Sequence, residues 1–185
     1  MAQGKRSIKK EKNGLRFLII ILVVVIVATI IGFLFHEVVG SKSNNLLDGY
    51  SLYKAANYTV QYNSDWTSAV DKTNPDMIVF TSPDSLGIIN VVTEQLSTKY
   101  NLDQYVDSFI SLLKSNYNLV TSDIGKEKIS INGVSAYRIS YNANEITRIT
   151  QTIFLLNSTA YAISYNSADN YFDVYHNMEN TLVMK

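Results

Sequence analysis

The chain has no cysteine, two prolines, two histidines and one tryptophan among its 185 residues. The missing cysteine excludes disulfides, a thiol nucleophile, a thiolate metal site and a lipid anchor on sulfur. Such a domain outside the cytoplasm must be held by its core alone. There is no G-x-S-x-G elbow, no phosphate-binding loop, no dinucleotide-binding glycine pattern and no EF-hand loop. Internal repeats and low-complexity segments are absent as well. No catalytic, cofactor-binding or metal-ligating residue is assigned from this sequence, and no cofactor is expected.

Phe17 to Phe35 is the dominant feature: nineteen residues without a charge, sixteen of them Leu, Ile, Val or Phe. As a helix this run covers about 28 Å, close to the hydrocarbon thickness of a bilayer. Eleven of the nineteen are β-branched, which disfavours a helix in water. In lipid the backbone can satisfy its hydrogen bonds only as a helix. Residues 17–35 are therefore expected to be a transmembrane helix, with the lipid bilayer as the first partner.

Zero net charge conceals an asymmetry. Residues 1–16 hold six basic residues and one acidic, a net of +5, whereas from residue 36 onward ten basic face fifteen acidic, a net of −5. Basic residues concentrate on the cytoplasmic side of membrane helices. Residues 1–16 read as a cytoplasmic tail, 36–51 as a polar spacer, and 52–185 as one extracytoplasmic domain in a single-pass cell-membrane protein. The acidic domain argues against nucleic-acid binding. A cleaved signal peptide is the competing reading, but its apolar core is usually about 7–15 residues, and the small residues near Gly40 make a weak cleavage site. A pilin-type leader cut after Gly14 would want Glu where Ile19 stands, and the polar spacer interrupts the continuous helix that a filament subunit needs.

Within the domain, Asn57–Tyr62 alternates as a strand, Trp66 opens a short extended piece, and Met77–Thr81 and Leu86–Gln95 are further strands. From Asn101 to Tyr117 the period changes. Leu102, Tyr105, Val106, Phe109, Leu113 and Tyr117 fall on one helical face, with Asn101 as N-cap and Asp103 in the first turn. Val120–Ile131 is extended again. Asn132-Gly133 between apolar runs predicts a type I′ hairpin. Val134–Tyr141, Ile146–Leu156 and Thr159–Tyr165 follow as strands, the last two joined at Asn157-Ser158. Large residues on one face and Ala136, Ala160 and Ala162 on the other predict a sheet covered on both sides, with a helix close over the alanines. Ser167–Asp169 opens a final helix carrying Tyr171, Phe172, Tyr175, Met178 and Leu182. Tight hairpins require antiparallel pairing, so the class is α+β: one antiparallel sheet between helices.

These segments resemble a known family. Tyr58-Thr-Val-Gln-Tyr-Asn-Ser-Asp-Trp66 is similar to the opening aromatic–x–aliphatic–x–Tyr-Pro-x-x-Trp pattern of PsbP-like domains, with Asn63 where that pattern has proline. Ile78–Pro83 and Asn90-Val-Val fit its next two strands. Ile131–Tyr137 resembles its aliphatic–x–Gly–x–x–Ala hairpin, and Ala160–Tyr165 with Ala168 its closing strand and helix. The resemblance covers about residues 50–185. It implies a Mog1/PsbP-like α/β/α sandwich and an adaptor-like character, of the kind found with a membrane anchor in bacteria and methanogenic archaea. Photosynthesis, manganese and calcium are not carried over, since no residues here match those features.

Each remaining candidate has a simpler reading. His176, with Asp173 and Glu179 three residues away on either side, could form a metal or acid–base site; a solvated helix face is the simpler reading. His36 would sit at the membrane interface beside Glu37. Asp65, Asp71, Asp76 and Asp84 suit turns. The thirteen tyrosines could line a sugar or peptide site, but Tyr fits half-buried strands. Trp66 reads as core. Asn57-Tyr-Thr59 and Asn157-Ser-Thr159 are glycosylation sequons, the second in an accessible turn. The expected function is non-catalytic protein binding or scaffolding with a membrane or envelope partner. The alternatives are an aromatic small-ligand pocket, enzymatic or not, and a pilin-like filament subunit.

Overall fold

The structure is a computed structural model that describes residues 46–117, 119–143, 147–166 and 171–185. The expected membrane helix at 17–35, the basic tail, His36, Glu37 and Ser167–Asp169 lie outside the described residues. Among the described residues no helix is long and apolar enough to cross a membrane.

The strands are β1 (Tyr50–Lys54), β2 (Tyr58–Asn63), β3 (Thr67–Val70), β4 (Met77–Thr81) and β5 (Ile88–Gln95). Helix α1 (Leu102–Tyr117) and a 3₁₀ turn (Thr121–Asp123) lead to β6 (Ile124–Ile131), β7 (Val134–Asn142), β8 (Arg148–Leu156) and β9 (Thr159–Asn166). Helix α2 (Phe172–Thr181) and a final short strand, β10 (Val183–Met184), follow. Seven strands form an antiparallel sheet in the order β3-β4-β5-β9-β8-β7-β6, and β1-β2-β10 form a second, smaller antiparallel sheet.

The expected single sheet is thus two sheets. Tyr58–Asn63 does not join the strands that follow it. It pairs with β1 on one side and with Val183–Met184 on the other. One face of the large sheet is covered by α1, and the other by α2 with the small sheet beside it. Two further differences follow. β1 takes in Tyr50 and Ser51, read from sequence as spacer, and α2 stops at Thr181 because Leu182 turns extended and buried before β10.

Local chemistry accounts for the elements that match. Asn101 Oδ1 accepts the Gln104 N–H at 2.8 Å, and Gln104 Oε1 accepts the Asn101 N–H, a reciprocal capping box at the start of α1. Val106, Phe109 and Leu113 carry its apolar face into the sheet, each contributing about 1.5–3 kcal/mol by burial. Ala160 and Ala162 lie under this helix, while Tyr161, Ile163 and Tyr165 face α2. In β7 the pattern inverts: Tyr137, Ile139 and Tyr141 face α1 and Ala136 faces α2. Both hairpin turns have positive φ at two residues, +54° and +79° at Asn132-Gly133 and +49° and +63° at Asn157-Ser158. That is type I′ geometry, at its least strained with Asn followed by Gly.

Candidate functional site

Helix α2 buries Tyr175, Met178 and Glu179 against the large sheet. Opposite it, one cross-strand row runs Ile78, Val91, Ile163, Thr152, Arg138, Glu127. The row is apolar in the middle of the sheet and turns polar toward the β6 edge. Glu179 comes down on this polar half and is wholly buried.

Its carboxylate is well supplied with donors. Arg138 Nη2 donates to Oε2 at 2.8 Å, and Nδ1 of His176 lies 2.9 Å from the same oxygen. The Thr152 hydroxyl donates to Oε1. A carboxylate only accepts, so that bond uses the Thr152 proton, and Tyr175, 2.8 Å from Thr152 Oγ1, must donate to it. Burial raises the Tyr175 pKa well above its ordinary value, with Glu179 adding to the effect. Burial works to lower the Arg138 pKa, but the Glu179 carboxylate outweighs it, and the pKa stands above its ordinary value. Glu127 approaches the other side of the guanidinium at 3.9 Å.

The spacing of Asp173, His176 and Glu179 therefore does not mark a solvated face. His176 is 43% exposed in its side chain, but Glu179 is fully enclosed, and Asp173 is exposed and outside the network. Among the described residues no group of three His, Cys, Asp or Glu is placed to hold a metal ion. Sequence reasoning missed Arg138 and the burial of Glu179, although a signal was present. Tyr175, Met178, Glu179 and Leu182 follow the i, i+3, i+4, i+7 spacing of a core stripe, and Arg138 shares a strand face with the buried Ala136. Chemically, a carboxylate this enclosed and this fully bonded clamps α2 to the sheet; it offers no open position to a substrate.

The other candidates resolve locally. Asp71 Oδ1 accepts the N–H groups of Thr73 and Asn74, as a turn residue does. Asp84 accepts the Leu86 N–H and the hydroxyls of Ser82 and Tyr171. Those bonds, Ser82 first and then Tyr171, hold its pKa below the usual carboxylate value. Trp66 is 5% exposed and meets Tyr171 edge-on at 5.3 Å, as a core residue should. Tyr137, Tyr141, Tyr161 and Tyr165 are buried in the two cores. The α1 face also encloses polar groups: Gln151 Nε2 donates to Ser164 Oγ at 2.7 Å. Asn157 is exposed at its hairpin tip, whereas Asn57 is half-buried, its carbonyl accepting from the Lys185 N–H.

An α+β unit of one large antiparallel sheet, clasped by a helix on one face and by a helix with a small sheet on the other, is a known architecture. No protein-family model matches the chain, and no curated protein matches it in sequence. Solved structures do. The solution structure of cyanobacterial PsbP (CyanoP) from Synechocystis aligns with TM-score 0.59 and 13% identity over 79% of this chain and 98% of that one. The crystal structure of LpqN, involved in cell envelope biogenesis of Mycobacterium tuberculosis, aligns with TM-score 0.52 and 14% identity over 74% and 90%. At these identities the likeness shows the fold alone, and the fold is PsbP-like.

Proposed function

We propose that the chain is a single-pass membrane protein that displays its PsbP-like domain outside the cell as a non-catalytic protein-binding module. The observation that carries this reading is the filling of the large sheet. Its tyrosines are spent on the two cores, and its buried carboxylate is fully bonded to neighbours. Recognition then falls to the outer surface. The run at 17–35 and the basic tail before it support the anchor and its direction. The involvement of LpqN in cell envelope biogenesis agrees with this placement.

Two measurements test it together. On intact cells, external protease should remove a C-terminal tag while alkaline carbonate leaves the chain in the membrane pellet. Affinity capture from solubilised membranes should recover a specific partner. A tag protected from protease, or no specific partner alongside measurable turnover by the purified chain, would end this reading.

A further inference from the structure

The loop between β4 and β5, Ser82–Gly87, is closely hydrogen-bonded and carries an exposed apolar side chain. Ser82 Oγ donates to Asp84 and accepts the Gly87 N–H at 2.8 Å. Asp84 Oδ1 accepts the Leu86 N–H, and Tyr171 donates its hydroxyl to Asp84 Oδ2 at 2.6 Å. Ser85 sits at φ +61°, in the left-handed region that L-residues avoid. A Cβ on Gly87 would lie 2.5 Å from Tyr171 and 3.0 Å from Trp66, so the loop lies directly on those rings. All this structure holds Leu86 in water: it is 65% exposed, the highest value among the large apolar side chains described. Phe172, next in the chain to Tyr171, is 37% exposed.

The same end receives the chain from its N-terminal side, because the Gly49 carbonyl accepts the Ser64 N–H two residues before Trp66. On the α2 side of this end the charge is acidic. Asp48 adjoins Gly49, Asp65 adjoins Trp66, Asp84 accepts from Tyr171 and Asp173 follows Phe172, all four exposed, while the exposed Arg148 stands at the start of β8 and Lys114 lies on the α1 side. An acidic collar repels anionic lipid headgroups, and it repels a second copy of a domain that is itself acidic. It attracts a basic partner.

On the reading of this domain as a binding module, we infer that Leu86 and Phe172 form its docking surface. The occupant is a partner-protein segment in which a large apolar side chain is flanked by Lys or Arg. A pre-ordered apolar anchor within a charged rim is the usual anatomy of a binding hot spot.

The test uses the full chain in zwitterionic detergent micelles and a dye-labelled synthetic peptide carrying a Leu-Phe pair between lysines. Binding, read by anisotropy, should weaken at least about tenfold with Leu86→Asp and with Asp173→Lys, as loss of a hot-spot residue does. It should fade with salt and be unchanged by Val183→Asp at the far end. Thermal melting confirms that each variant is folded; Asp173 is used because Asp84 holds the loop itself. The inference is overturned if the peptide fails to bind or binds Leu86→Asp as tightly as the parent. It is overturned equally if Leu86 drives self-association in sedimentation. The absence of native cysteine allows a single dye at Leu86→Cys, and burial of that dye in phosphatidylglycerol vesicles without peptide would assign the surface to lipid instead. If a photo-cross-linker at Val183 captures a specific membrane partner while one at Leu86 captures none, this surface fails and the binding-module reading stands.

Discussion

Replacing Arg138 with Ala would strand the Glu179 carboxylate. That carboxylate is fully buried, and the Arg138 side chain is only 20% exposed, so water replaces the lost guanidinium only in part. Removing one partner of a buried ion pair costs about 3–5 kcal/mol. Thr152 and His176 keep their bonds to Glu179, which places the cost at the lower end, about 3 kcal/mol. For a domain of this size that is a fall in Tm of roughly 10 °C. Trp66, the sole tryptophan and buried, reports unfolding directly, so urea titration of the full chain in micelles measures the loss. Replacing both charges, Arg138→Met with Glu179→Met, should bring stability back to within about 1–2 kcal/mol of the parent, because the buried charge disappears along with its partner. The difference between the single and double variants is the signature of the clamp. A loss below about 1 kcal/mol in Arg138→Ala, or a double variant as unstable as the sum of its singles, would refute the claim that Glu179 depends on Arg138.

Burial pushes the Glu94 pKa up to about 6 despite the Tyr105 hydroxyl bond that works to lower it. The folded state holds that proton more tightly than the unfolded chain, so this contribution to stability is full below about pH 4.5 and is lost as pH rises through 6. Glu94→Gln should flatten this part of the urea-midpoint profile and raise stability at pH 7 by up to about 1 kcal/mol, after allowance for the solvent still reaching the carboxylate. Ser158→Gly relieves the +63° φ of the second hairpin turn and should raise the midpoint by roughly 0.5 kcal/mol at an unchanged urea slope. Gly87→Ala drives a methyl group into Tyr171 and Trp66. It should cost about 1–3 kcal/mol and shift the Trp66 emission to longer wavelength.

How much of this was legible depends on whether the information was local. Helix α1 was readable because its period, its N-cap and its acidic first turn all lie within one stretch. The two hairpins were readable because Asn-Gly and Asn-Ser state their own backbone geometry. The alanines of β9 correctly announced a helix lying close above them. What escaped the reading was sheet membership. Alternation in Tyr58–Asn63 says that it is a strand, but its partners, β1 and two residues near the chain's last position, are chosen by tertiary packing. Glu179 escaped for a related reason. A carboxylate on a core stripe is tolerable only if a cation faces it, and Arg138 lies forty-one residues away in sequence. The docking loop was visible as turn residues, Ser82-Pro-Asp84, but the exposure of Leu86 depends on the bond from Tyr171 to Asp84, a contact across eighty-seven positions. The anchor at 17–35 rests on sequence alone.

The pairing of β5 with β9 has a consequence for how the protein is made. Ile88 meets Asn166 and Gln95 meets Thr159, so the seam between the two halves of the large sheet joins segments far apart in the chain. β3, β4 and β5 leave the ribosome early with one sheet edge unfilled, and the strand that fills it is the last of the seven to emerge. That apolar edge stays open until Thr159–Asn166 has been made. Long-range pairing of this kind folds slowly and is exposed to aggregation meanwhile. The vulnerable moment in the life of this domain is therefore its assembly, when the edge of β5 is still unfilled.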